Sequence, residues 1–227
     1  ANILNDYFDY KIDKINRPDR AISSGSVLRN HALILSLFAF IIGTLFALQL
    51  NKNSQLVSIG ISLPLIIGYN AKLKNFPLIG NIVVALILSL SFIYAGFIFD
   101  NIKPLIIPAL LAFGLTLIRE IVKDMADVIG DKSVGLKTFP IIYGEKKTIV
   151  LCTALSALLG IGSFVPFITG YYNIFYGILL ILTVEIPLAV VVILLLNKPT
   201  ISTAKRSAKL LKFCTLGGLF SIYIGTI

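Results

Sequence analysis

Two groups of aspartates with the same spacing stand in an otherwise apolar chain: Asn5-Asp6-x-x-Asp9-x-x-x-Asp13 and Lys123-Asp124-x-x-Asp127-x-x-x-Asp131. Together they hold six of the eleven acidic residues. On a helix turning about 100° per residue, positions i, i+3 and i+7 fall within about 60° of one another, so each trio of carboxylates shares a face. Two carboxylates about 6 Å apart repel by roughly 0.7 kcal/mol in water and about 3 kcal/mol at an effective dielectric near 20. Such faces destabilise a bare helix and attract cations. Mg²⁺ takes a few carboxylates, several waters and phosphate oxygens rather than a closed protein cage, so paired Asp-rich helix ends among Lys and Arg imply a substrate that brings its own phosphates. An EF-hand does not fit, because its ligands alternate along a loop around a central glycine. The stretches superpose with one offset, Asn5 on Lys123, Asp6 on Asp124, Asp9 on Asp127 and Asp13 on Asp131. Two related halves facing one central site, each with a metal station, are expected.

The elements that must position these motifs are membrane helices. Hydrophobic residues make up 57% of the chain and charged ones 14%, with a mean hydropathy of +0.93, against about a quarter charged in soluble domains. Apolar runs close to the ~20 residues a span requires occur at His31–Leu50, Ile79–Phe99, Leu105–Ile118, Thr148–Thr169, Ile174–Leu196 and Leu211–Ile227, with a shorter one at Leu56–Tyr69. No strand periodicity is present and the runs exceed barrel strands, so an all-α transmembrane bundle forming a single domain over residues 1–227 is expected. The chain opens with Ala1-Asn2-Ile3-Leu4 and no methionine, directly in a motif that needs a helix before it. Ala1–Asp13 therefore reads as the end of a longer helix.

If the spans alternate, Asp6–Arg29, Lys72–Phe76, Arg119–Lys147 and Lys198–Lys212 share one side of the membrane. That side carries 18 of the 20 Lys and Arg residues, leaving only Lys52 and Lys103 on the other. The positive-inside rule puts the aspartates at the cytoplasmic face. The net charge of +9 gathers on the same surface and suits a polyanionic ligand. Cys152 and Cys214 both fall in spans and imply neither disulfide nor metal quartet. There is no Walker or Rossmann loop, no nucleic-acid partner is expected, and no oligomeric state follows from the sequence. Pro64, Pro108, Pro166 and Pro187 fall where they can bend spans, and Glu185 lies inside an apolar run, where an ionised group costs roughly 2.5–3.5 kcal/mol.

The first motif with Arg17-Pro18-Asp19-Arg20 and Ser24-Gly25 after it, and Lys123-x-x-x-Asp127-x-x-x-Asp131 later, resembles the UbiA superfamily of intramembrane prenyltransferases. The resemblance implies nine transmembrane helices around a lipid-open cavity, with the motifs on helices 2 and 6. Helix 1 and most of helix 2 would then be missing from this chain. Asn-Asp-Tyr-Phe-Asp at residues 5–9, Tyr69-Asn70-Ala71-Lys72-Leu73-Lys74, and Arg119 through Asp127 look most like the archaeal digeranylgeranylglyceryl phosphate synthase branch. One departure is Glu120, where many family members carry tyrosine. The branch implies transfer from geranylgeranyl diphosphate to the free hydroxyl of geranylgeranylglyceryl phosphate, at a membrane-lipid interface, with release of diphosphate.

Under that reading two Mg²⁺ ions are expected on Asp6, Asp9 and Asp13 and on Asp124, Asp127 and Asp131. Asn5, Lys123, Asp127 and Asp131 are expected to be catalytic, and Arg17, Arg20, Tyr69, Lys72, Lys74 and Lys123 to bind substrate. Prenylation of 4-hydroxybenzoate, a naphthoate, a chlorin or haem stays open as an alternative. A divalent-cation transporter would place its carboxylates near the bilayer midplane on broken helices, and a CDP-alcohol phosphotransferase would show Asp-Gly and Ala-Arg elements that this chain lacks.

Overall fold

The computed structural model describes residues 2–227. Two short helices, α1 (Asn2–Phe8) and α2 (Tyr10–Asn16), carry the first aspartate motif. Seven longer ones follow: α3 (Arg29–Ala47), α4 (Lys52–Ala71), α5 (Ile79–Ile98), α6 (Lys103–Ser133), α7 (Phe139–Ile168), α8 (Ile174–Asn197) and α9 (Ile201–Gly225). All seven are long and apolar enough to cross a membrane, and the protein is a multi-pass integral membrane protein.

Burial ranks the helices. Half of the apolar window of α6 is buried against 17% for α3, so α6 is the central post and α3 a rim. Ile118, Ile121 and Val122 of α6 are at most 1% exposed, packed among α5, α7 and α9. On α3, Ile34, Phe38, Ile41, Leu45 and Phe46 face outward. That is the ordinary surface of a helix whose solvent is lipid. Arg29, at the start of α3, ties this rim to the first motif by donating from Nε to the Tyr7 carbonyl (3.1 Å) and lying over the Tyr7 ring.

Each expected apolar run is helical, and three local differences have physical causes. First, the aspartate helix at the start is bent at Asp9 (φ −85°, ψ 7°). Its hydrogen bonds still run from Asp9 N to Asn5 O and from Asp13 N to Asp9 O, both 2.8 Å, so the three carboxylates keep one face. Second, α7 starts at Phe139, ahead of the expected Thr148, with an interruption at Gly144 (φ 81°), a backbone region where a side chain is strained. Third, α9 begins at Ile201, well before Leu211; the Thr200 hydroxyl caps it by accepting from the Thr203 amide at 3.2 Å. The segment Lys198–Lys212, expected as a connecting loop, is mostly helix.

Two of the four noted prolines reshape their helices. In α4 the stretch Leu56–Ser62, and in α8 the stretch Ile181–Glu185, widen to π-helix, each ending two residues before a proline, Pro64 and Pro187. Proline has no N–H to give and crowds the carbonyl four residues back, and a wider turn is one way a helix accommodates that. Pro108 and Pro166 sit inside α-helix. Glu185 ends the second π stretch and accepts a hydrogen bond from Ser163 Oγ of α7 at 2.8 Å.

Candidate active site

The bundle gathers both motifs around one hollow. A cavity of about 910 Å³ is lined by Asn5, Asp6, Arg17, Arg20, Tyr69, Lys123 and Asp127. An adjoining niche of about 100 Å³ is lined by Asp9, Asp13, Lys74, Asp124, Asp127 and Asp131. All six motif aspartates thus meet, although the two stretches are more than a hundred residues apart. Of the expected site residues only Lys72 falls elsewhere: it is exposed and lines neither space. The reason is local. The helix that carries Tyr69 ends at Ala71, and the tight turn Leu73–Asn75 sends Lys74 inward and leaves Lys72 outside.

Most of the carboxylates are held by a cation or amide. Arg20 bridges Asp6 and Asp13, 2.7 Å to each. Lys74 pairs with Asp9, which also accepts from Asn5 Nδ2 at 2.9 Å. Arg17 binds Asp127 across the two motifs at 2.5 Å. Asn81 donates to Asp124 at 2.8 Å; its helix α5 starts from Leu78, held at a positive φ of 64°. Asp131 is 6% exposed, and among the described residues its carboxylate has no donor. Burial pushes the Asp13 carboxyl above the usual range, and the Arg20 guanidinium opposes that rise.

A seam fastens the motifs together. Asn16, the last residue of α2, donates from Nδ2 to the Asp127 carbonyl (3.0 Å) and accepts from the Gly130 amide (3.2 Å). A Cβ at Gly130 would lie 2.4 Å from Asn16 Nδ2, so glycine leaves the Asn16 side chain room to make both bonds. The motifs are not mirror images. Asn5 turns to Asp9 and Asn70, whereas Lys123 pairs with Glu120 at 2.7 Å rather than with a motif aspartate. Glu120 is buried and also takes Arg119 at 2.9 Å. Glu120 is thus an anionic tether for two cations.

Among the described residues no three His, Cys, Asp or Glu side chains are drawn together tightly enough to hold a metal unaided. This donor set fits Mg²⁺, which completes its shell with water and phosphate oxygens, and Asp131 supplies a buried carboxylate that enters no salt bridge among the described residues. Sequence reasoning missed Asn70, Asn81, Asn16 and Arg119 as parts of the site. It also missed Lys205, Lys209 and Lys212 of α9, which line the large cavity. For the lysines a signal was present: Ala204, Ser207, Leu211 and Cys214, all buried, recur at helical spacing on the face away from them. Beyond the polar hollow, an apolar cavity of about 280 Å³ shares Leu88 with it and is walled by Phe92, Pro108, Leu115 and Tyr176.

Known proteins share this architecture. Residues 1–214 match the UbiA prenyltransferase family. The digeranylgeranylglyceryl phosphate synthase of Pyrococcus furiosus is 38% identical over 227 residues, covering 100% of this chain and 80% of that protein. The enzyme of that name from Saccharolobus solfataricus is 39% identical over 229 residues, covering 99% of this chain and 79% of its own. A solved digeranylgeranylglyceryl phosphate synthase superposes with a TM-score of 0.77 at 33% identity, over 100% of this chain and 80% of that one. A UbiA homolog from Archaeoglobus fulgidus, solved with DMAPP and Mg²⁺, shares the fold at 19% identity and a TM-score of 0.58, over 98% of this chain and 82% of that one. The chain belongs to the UbiA prenyltransferase family.

Proposed function

We propose that this protein transfers a geranylgeranyl group from geranylgeranyl diphosphate to the free hydroxyl of geranylgeranylglyceryl phosphate, forming the second ether bond of an archaeal membrane lipid. The observation that carries the proposal is the junction of a hollow lined by aspartates and cations with an apolar cavity at Leu88. A prenyl diphosphate has that polarity, a polyanionic head on an oily tail. The relatives named above act on substrates of this kind, as their names state.

The chemistry follows from charge. As the allylic carbon–oxygen bond breaks, its electron pair leaves with the diphosphate and positive charge grows on the carbon. The acceptor hydroxyl oxygen forms the new bond to that carbon and its proton is released. Asp6, Asp9, Asp13, Asp124, Asp127 and Asp131 would hold Mg²⁺, in two ions, one to each motif. When bound, the metal supplies neutralisation of the leaving diphosphate. Arg17, Arg20 and Lys74 now occupy the carboxylates and are placed to exchange them for phosphate oxygens, a charge-assisted contact of the same kind. Lys123, tethered by Glu120, lines both spaces and binds the diphosphate. The apolar wall keeps water from the cationic carbon. We place residues 1–227 in one transmembrane domain of the cell membrane, with the aspartates at the cytoplasmic face.

The test is a transfer assay on the full-length protein in liposomes with radiolabelled geranylgeranyl diphosphate, Mg²⁺ or EDTA, and geranylgeranylglyceryl phosphate, 4-hydroxybenzoate or dihydroxynaphthoate offered separately. The expected result is label in a doubly alkylated glycerol phosphate, lost with EDTA. Label on an aromatic acceptor alone overturns the acceptor assignment. No transfer to any acceptor, with Mg²⁺ flux instead, overturns the enzyme reading.

A further inference from the structure

One face of α9 carries cations that form no salt bridge with either aspartate motif, although Lys205 lies within electrostatic reach of Asp127. Lys205, Ala208, Lys209 and Lys212 line the large cavity, and their spacing of i, i+3, i+4 and i+7 puts them on one stripe. Lys205, Arg206, Lys209 and Lys212 are all exposed, and of the four only Arg206 lies outside that lining. Helix α9 contains no acidic residue, and among the described residues none of the three ammonium groups enters a salt bridge; the cations that do are Arg17, Arg20, Lys74, Arg119 and Lys123. Lysines four apart on a helix repel one another. Orienting the protein in a membrane requires positive charge on one side but gives no reason to align three lysines along one cavity. Arg119, also in the lining, gives one nitrogen to Glu120, while its buried Nε has no acceptor.

We propose that Lys205, Lys209 and Lys212, with Arg119, bind the phosphate of the acceptor as a subsite separate from the one for the donor diphosphate. This rests on the function proposed above and deepens it. A glycerol phosphate acceptor carries its reacting hydroxyl and its phosphate on the same three-carbon unit, so the phosphate must be anchored in the cavity where the diphosphate reacts. The aspartate side of the hollow repels a second anion unless metal intervenes. The α9 side is its complement. A phosphate dianion there relieves the lysine–lysine repulsion and accepts charge-assisted hydrogen bonds. The about 910 Å³ of the cavity is in the range that encloses a drug-sized ligand, and both head groups share it.

The test is steady-state transfer by the full-length protein in liposomes, with geranylgeranyl diphosphate as donor and either geranylgeranylglyceryl phosphate or the phosphate-free geranylgeranylglycerol as acceptor. Lys205→Gln, Lys209→Gln, Lys212→Gln and their combination are compared with Arg206→Gln, which lies off the cavity. Each single variant is expected to raise KM for the phosphorylated acceptor about tenfold, with kcat and the donor KM close to wild type, and Lys→Arg at the same position to recover most of the loss. With geranylgeranylglycerol the wild type should be the poorer enzyme and the variants no worse than it. An unchanged KM for the phosphorylated acceptor, an equal loss with both acceptors, or a rise in donor KM alone would overturn the subsite while leaving the proposed function intact. A wild type that ignores glycerol phosphate acceptors overturns both. If the combined variant fails to fold, the single Gln and Arg variants decide the matter.

Discussion

Replacing Gly130 with alanine tests how the two motifs are held together. The added Cβ would lie 2.4 Å from Asn16 Nδ2 and 2.6 Å from its Oδ1, so the Asn16 side chain must leave. Two hydrogen bonds go with it, to the Asp127 carbonyl and from the Gly130 amide, each worth about 0.5–1.5 kcal/mol. Alanine inside a helix returns about 0.5–1 kcal/mol relative to glycine. The net is a destabilisation of about 1 kcal/mol, or a fall in Tm of roughly 2–4 °C, with a larger loss of transfer because Arg17, the next residue, is drawn off Asp127. Asn16→Ala removes the three atoms nearest the new Cβ. In that background Gly130→Ala should therefore stabilise by about 0.5–1 kcal/mol, a reversal of sign. Cys152 and Cys214 are free and buried, so a thiol-reactive fluorophore follows unfolding in detergent without further labelling. Equal Tm changes for Gly130→Ala in both backgrounds would refute the seam.

Further outcomes follow from the same geometry. Asp131→Asn should raise Tm by about 2–4 °C, because it neutralises a buried carboxylate that has no donor among the described residues, while lowering Mg²⁺-dependent transfer by at least about a hundredfold; a loss of both stability and activity would contradict this. Lys74→Met should lower kcat/KM by about tenfold or more, since Asp9 loses its cation, whereas Lys72→Met should leave transfer within about twofold of wild type, a surface change of the usual size. Asn81→Ala should lower Tm by roughly 2–8 °C, because Asp124 loses its amide donor at about 1–2 kcal/mol.

How much of this was legible in the residues depended on whether the signal was periodic. The apolar runs are periodic and long, and every one became a span. The aspartate trios are periodic too, and the expected common face survived even the bend at Asp9, because the hydrogen bonds from 5 to 9 to 13 continue through it. The start of α9 was misread because five cations between Lys198 and Lys212 depress hydropathy over a helix whose buried side is made of small residues, Ala204 and Ser207 among them. A window average hides a one-sided stripe that a 3.6-residue period would reveal. Asn16, Asn70 and Asn81 had no local signal. Each acts on a partner far along the chain, Asn16 on Asp127 and Asn81 on Asp124, and such pairs become visible only when the helices are packed. Lys72 lies outside both spaces because of a single turn: Leu73–Asn75 decides which of two neighbouring lysines points inward.

The central claim is that two distant motifs build one diphosphate–Mg²⁺ site, and a double-mutant cycle addresses it most directly. Asp9→Asn, Asp127→Asn and the double variant would be compared in Mg²⁺-dependent transfer to geranylgeranylglyceryl phosphate, with single-turnover rates to isolate the chemical step. One shared site predicts that each single variant loses most of the activity and that the double variant loses little more, since residues acting as a unit are not additive. Losses that multiply in full, or a single variant that keeps wild-type turnover, would mean that the motifs act independently and would contradict the account.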